Sequence, residues 1–130
     1  SYYTSFVSHK IIDRQGIAYA IRLAIKRTIK KAGLRPDNCE IRLDGSIYAS
    51  KEFKNQKTII KGDEKEPIIA LASIIAKVRR DNRMKRLAKK YSGYGFEIHK
   101  GYGTKNHIKA VKKLGPSEIH RRTFISKITA

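Results

Sequence analysis

Residues 17–32 place their apolar side chains on one helical stripe and then stop abruptly. Ile17, Ile21, Ala24, Ile25, Thr28, Ile29 and Ala32 recur at the spacing of a single face, and Arg22, Lys26, Arg27, Lys30 and Lys31 fall mostly off it. Gly33 ends the pattern and Pro36-Asp37 prevents its resumption, so the chain must turn there. Asp13 stands where an N-cap for this helix is expected. A longer helix is expected from Pro67, acceptable in a first turn, to about Lys90. A third starts at the capping residue Thr104 and is closed by Gly115-Pro116. Tyr2–Val7, Ile41–Leu43 and Thr58–Lys61 read as strands, Ser46–Lys57 and Ser92–Gly103 as loops, and the basic tail from Ser117 carries no clear pattern. Strands alternating with helices predict an α/β architecture. With no repeat, low-complexity tract or linker, residues 1–130 are expected to form a single domain.

Charge narrows the partners. Thirty Lys and Arg stand against eleven Asp and Glu, a net charge of +19. A field of that sign and size favours a polyanion, and nucleic acid before an anionic membrane surface. No segment reaches the roughly 18 uninterrupted apolar residues of a membrane span. Ser1 to Lys10 lacks the basic stretch and apolar run of a signal peptide. A lone Cys39 excludes an intramolecular disulfide and a multi-cysteine zinc site, which fits a reducing cytoplasm.

Two aspartates stand out by position. Asp44 ends an expected strand and precedes Gly45; strand ends favour ligand sites in open α/β sheets, while Asp-Gly also forms ordinary turns. Asp81 falls within about 20° of Ile74 on the expected long helix, on the face of Ala70, Val78 and Ala88. A carboxylate inside an apolar stripe needs a partner: a metal, or Lys77 or Lys85 one turn away. Tyr102 sits in a glycine-flanked loop, accessible to a ligand or packed on the surface. Ser73 reads as a structural hydrogen-bonding group. His9, His99, His107 and His120 show no recognised metal spacing.

Four ordered blocks carry a resemblance. Lys61-Gly62-Asp63 is followed by Ala72-Ser73-Ile74-Ile75-Ala76-Lys77-Val78 leading to Asp81, then His99-Lys100-Gly101-Tyr102-Gly103-Thr104, then Gly115-Pro116 with Ile119-His120-Arg121-Arg122. Upstream, Ile12-Asp13, Gly16-Ile17 and Leu43-Asp44-Gly45 also fit. In this order they resemble the type 2 ribonucleases H (ribonuclease HII). The resemblance implies a partial ribonuclease H-like fold, with a mixed sheet flanked by helices and its first strand or strands missing. It also implies metal-dependent cleavage of RNA in RNA–DNA hybrids and at single ribonucleotides in duplex DNA. Asp44 and Asp81 match the family's metal-binding aspartates, for Mg²⁺ or Mn²⁺ at a two-metal site, and are expected to converge. Tyr102 matches its sugar contact at the RNA–DNA junction. Lys61, Lys100, Arg121 and Arg122 are the corresponding phosphate-contact candidates.

The family opens with an Asp-Glu-x-Gly-Arg-Gly strand, and no such motif occurs in these 130 residues. Asp63-Glu64 does not replace it, because Lys65-Glu66 follows; a surface turn is expected there. The resemblance therefore implies an incomplete metal site, impaired cleavage by this chain alone, and either self-association or an N-terminal segment supplied in trans. The rival reading is a non-catalytic, basic nucleic-acid-binding module; a small ribosome-associated protein is a more distant one.

Overall fold

Helix α2, Ile17–Ala32, has the bounds its apolar spacing predicts. Gly33 takes a left-handed conformation (φ 65°), so its N–H reaches the Lys30 carbonyl while Leu34 N–H reaches that of Ile29. This paired closure satisfies carbonyls that a helix end otherwise leaves open. The computed structural model describes Ser1–Thr129, in two compact units, Ser1–Ile75 and a second beginning at Ala76.

In the first unit a short helix, α1 (His9–Gln15), precedes α2 and packs on it. Its N-cap is Ser8, whose Oγ accepts from Ile11 N–H at 3.4 Å. Asp13 therefore lies inside α1, and the residue ahead of α2 is Gly16 at φ 85°. A glycine can make that turn between two helices without strain. Tyr2–Val7, expected as a strand, forms none. Side chains of α2 hold this segment instead: Lys31 Nζ and Arg27 Nη1 donate to the Thr4 and Phe6 carbonyls, at 2.9 and 3.1 Å. Strand propensity needs a neighbouring strand to act on, and these backbone groups are taken by a helix.

Strands β1 (Ile41–Asp44) and β2 (Gln56–Ile59) pair in parallel, with Ile41 opposite Gln56 and Asp44 opposite Ile59. Among the described residues this two-stranded parallel pair is the whole sheet, where a mixed sheet was expected. Gln56 ties the connecting loop back: its side chain accepts from Ala49 N–H at 2.8 Å and donates to the Phe53 carbonyl at 2.7 Å. After β2 comes the single turn α3 (Gly62–Lys65), then α4 (Pro67–Lys90), again with the expected bounds. Along α4, Ile68, Leu71, Ile74 and Val78 are more than half exposed. The face expected to bury Asp81 is thus uncovered at Ile74 and Val78.

The core of the second unit gathers around Phe96, 2% exposed. The expected loop after α4 contains one turn, α5 (Phe96–His99). Helix α6 (Lys105–Leu114) is capped by Thr104, whose hydroxyl accepts from His107 N–H at 3.2 Å. The basic tail folds as α7 (Arg122–Thr129), which packs on α6. Val111 and Ile125 complete the apolar core. Phe96 stacks on Tyr94 at 5.3 Å and meets the His107 ring edge-on at 5.6 Å. Replacing Phe96 with Ala should lower the unfolding free energy by about 3–5 kcal/mol in urea titration; a loss below about 1 kcal/mol would mean Phe96 does not organise this core.

Candidate active site

Asp44 is held at the end of β1 by a bond to the backbone after β2. Its Oδ1 accepts from the Gly62 N–H at 2.8 Å. Gly62 is buried, and a Cβ there would lie 2.7 Å from Cδ1 of the buried Ile69. Lys61 turns the chain into this position with a left-handed backbone (φ 54°). The Lys61-Gly62-Asp63 block therefore orients Asp44: an αL turn, a glycine that lets the backbone close on Ile69, and an amide aimed at the carboxylate.

Asp81 lies in the other unit, on α4. Its Oδ1 is buried and has no hydrogen-bond partner among the described residues; neither Lys77 nor Lys85 takes it. The preceding residue, Arg80, likewise has a buried, unpartnered Nη1. Such groups are costly to leave unmade, about 1–3 kcal/mol each, and call for an explanation. A buried carboxylate oxygen that no donor among the described residues takes suits a hard cation, and oxygen donors suit Mg²⁺ or Mn²⁺. No group of three or more His, Cys, Asp or Glu that could hold a metal occurs among the described residues.

Tyr102 is exposed, and the Arg80 guanidinium sits 4.7 Å from its ring centroid. This cation–π contact steadies the ring without burying it. Among the described residues, Lys61 and Lys100 are the non-glycine positions with positive φ. Both belong to the candidate substrate-contact set, in keeping with the tendency of backbone strain to collect at functional sites. The Lys100 ammonium turns back on its own helix end, donating to the Glu97 carbonyl and, at 3.4 Å, to that of Ile98. The Arg121 guanidinium lies over the Phe124 ring at 4.3 Å, and Arg122 is exposed at the start of α7.

Behind Tyr102 lie three buried histidines that metal-spacing rules pass over. His107 Nδ1 is 2.9 Å from the Tyr102 carbonyl, and His107 Nε2 is 3.1 Å from His120 Nε2. His99 stacks on His107 at 4.2 Å; its Nδ1 accepts from Gly101 N–H and its Nε2 donates to the Tyr94 carbonyl. Burial pushes the His120 imidazole down to about 4, helped by the nearby His107 ring, and burial also lowers His107. Sequence reasoning missed Arg80, His107 and His120 as supports of Tyr102. Arg80 meets Tyr102 across a fold, with no local signal. His107, five residues after Tyr102, carried a cue only to a reader seeking hydrogen bonds rather than metals.

Comparison with known proteins gives the family. The family description Ribonuclease HII matches residues 1–127. The Ribonuclease HII of Clostridium botulinum (strain Loch Maree / Type A3) is 42% identical over 128 residues, covering 98% of this chain and 46% of that protein. The Ribonuclease HII of Natranaerobius thermophilus is 47% identical over 113 residues, with 87% and 56% covered. That of Caldicellulosiruptor bescii is 44% identical over 128 residues, with 98% and 61% covered. The chain belongs to the ribonuclease HII family, a family of nucleases, and spans about half the length of the curated relatives it matches.

The histidine cluster sets a pH dependence of stability. A folded pKa below the unfolded value of 6.5 means that the unfolded chain binds the extra proton. Stability is then fully present above about pH 6.5 and is lost as pH falls toward about 4. The drop from 6.5 to about 4 carries on the order of 3 kcal/mol, at about 1.4 kcal/mol per pH unit. Chemical unfolding at pH 7 and pH 4.5 should show a smaller loss in His120→Gln than in the native chain; equal losses would remove His120 as the cause.

Proposed function

We propose that this chain forms the C-terminal part of a metal-dependent endoribonuclease active on RNA–DNA hybrids and on single ribonucleotides in duplex DNA. The observation that carries the reading is the buried Oδ1 of Asp81, which no donor among the described residues takes, one residue from the arginine that braces Tyr102. Asp44 and Asp81 are the metal-holding carboxylates, for Mg²⁺ or Mn²⁺. A divalent metal bound by Asp44 and Asp81 would supply charge stabilisation to the phosphodiester, and a pair of such metals would serve both the attacking and the leaving oxygen. The Gly62 amide orients Asp44; Arg80 presents Tyr102 to the sugar at the junction. Lys61, Lys100, Arg121 and Arg122 hold phosphates. Lys100 must leave the carbonyls at the end of α5 to do so.

The reading takes residues 1–130 as one domain, supported by a family match that runs through residues 1–127. It places the remaining metal carboxylates and the ribose-sensing glycine segment outside this sequence, so that the chain alone is impaired. The uncovered Ile68, Leu71 and Ile74 on α4 support a covering strand or strands, supplied in trans or by a second copy. No described helix is long and apolar enough to cross a membrane, and the lone Cys39 suits a reducing cytoplasm.

Adding the N-terminal segment of a relative in trans should produce Mg²⁺- or Mn²⁺-dependent cleavage of a duplex carrying one ribonucleotide. In that complex Asp44→Asn and Asp81→Asn should each reduce kcat/KM by more than about 100-fold, beyond the loss typical of outer-shell partners. Robust cleavage by the purified 130-residue chain alone, with its mass verified, contradicts the incomplete-site reading. Binding of duplex DNA should weaken with salt, with a log–log slope of about −5 if six phosphates are neutralised. A slope near zero in a fluorescence titration would refute the phosphate contacts.

A further inference from the structure

The contacts behind Tyr102 line up head to tail. The Ser117 amide and hydroxyl reach His120 Nδ1 at 3.0 and 2.7 Å; His120 Nε2 meets His107 Nε2; His107 Nδ1 meets the Tyr102 carbonyl. A carbonyl only accepts, so His107 Nδ1 must carry hydrogen. In a neutral ring its Nε2 then accepts, so His120 Nε2 must donate. That leaves His120 Nδ1 as the acceptor for Ser117. One proton arrangement therefore satisfies every contact: Nδ1–H on His107 and Nε2–H on His120. The Tyr102 backbone is fixed at further points, since its N–H donates to the His99 carbonyl at 2.9 Å and its carbonyl accepts from Thr104 N–H at 2.8 Å. At the other end, His120 directly precedes the phosphate-contact candidates Arg121 and Arg122.

We propose that His107 and His120 are positioning residues: the relay from Ser117 to the Tyr102 carbonyl sets where the Tyr102 ring stands relative to the Arg121-Arg122 segment. It thereby sets how well the site separates an RNA–DNA junction from plain duplex. The last step rests on reading Tyr102 as the sugar contact. A packing role alone does not require that the relay run in one direction or end on that residue's backbone.

Amide side chains separate the two ends of His120. Gln at 120 retains a donor where Nε2 stands; Asn retains an acceptor where Nδ1 stands but loses the donor to His107. NMR of the ¹⁵N-labelled 130-residue chain at pH 7 should find His107 in the Nδ1–H form and His120 in the Nε2–H form. The Tyr102 ring signals should move in His120→Asn and stay in His120→Gln. For binding, the protein is the chain with the N-terminal segment of a relative added in trans, and the probe is a labelled duplex with or without one ribonucleotide. His120→Asn should lose about tenfold of the junction-to-duplex preference, and His120→Gln no more than about twofold. The opposite tautomers, charged imidazoles at pH 7, or Tyr102 signals that move equally in both variants would overturn the relay. If the ring signals behave as expected while the native complex shows no junction preference, or Tyr102→Ala leaves that preference unchanged, the relay stands and the sugar-contact reading of Tyr102 fails.

Discussion

A proton added to His107 or His120 breaks a hydrogen bond. His99, His107 and His120 each use one ring nitrogen as donor and the other as acceptor, and burial favours the neutral ring at His107 and His120. In a chain of net charge +19, this keeps the centre of the second unit free of repulsion that its surface carries in excess. Much of that unit is tied to these rings. His99 bridges the Tyr94 carbonyl to the Gly101 amide, His107 opens α6 and holds Tyr102, and His120 closes the Ser117 turn ahead of α7. Phe96 contacts all three rings, adding apolar burial to hydrogen-bond direction.

The first unit solves a similar problem with backbone. A carboxylate at a strand end is loose unless something holds it, and here the Gly62 amide does. The close approach of Gly62 to Ile69 leaves no room for a side chain, and Lys61 accepts a left-handed backbone to make the turn. The exposed Asp44 is thus oriented by one backbone hydrogen bond, whereas Asp81 keeps an oxygen that no described group takes.

Local chemistry was legible in the sequence. The bounds of α2 and α4 follow from Gly33, Pro67 and apolar spacing, and Thr104 caps α6 as its position predicts. Features that depend on distant partners were not. Tyr2–Val7 has strand chemistry but lies against Arg27 and Lys31 of α2. Asp13 was expected to cap α2 because α1, which contains it and is capped by Ser8, is too short to show a stripe; α2 itself starts after Gly16 with no side-chain cap. The tail helix α7 shows its apolar side, with Ile125 buried, only once α6 is there to receive it. Within the candidate site, the strand-end position of Asp44 and the motif position of Tyr102 were visible, while Arg80 stacking on Tyr102 required the fold.

The proposed role of Asp44 and Asp81 is to hold a hard cation, and the Asp81 Oδ1 that no described group takes is the observation behind it. The most direct measurement is a Mn²⁺ titration of the ¹³C,¹⁵N-labelled chain, following the side-chain carboxyl signals of all its acidic residues by NMR. The account predicts that Asp44 and Asp81 broaden first and together at substoichiometric Mn²⁺, and that excess Mg²⁺ restores both. Broadening spread evenly over Asp37, Asp63 and the surface glutamates, with Asp44 and Asp81 no more affected than the rest, would contradict it.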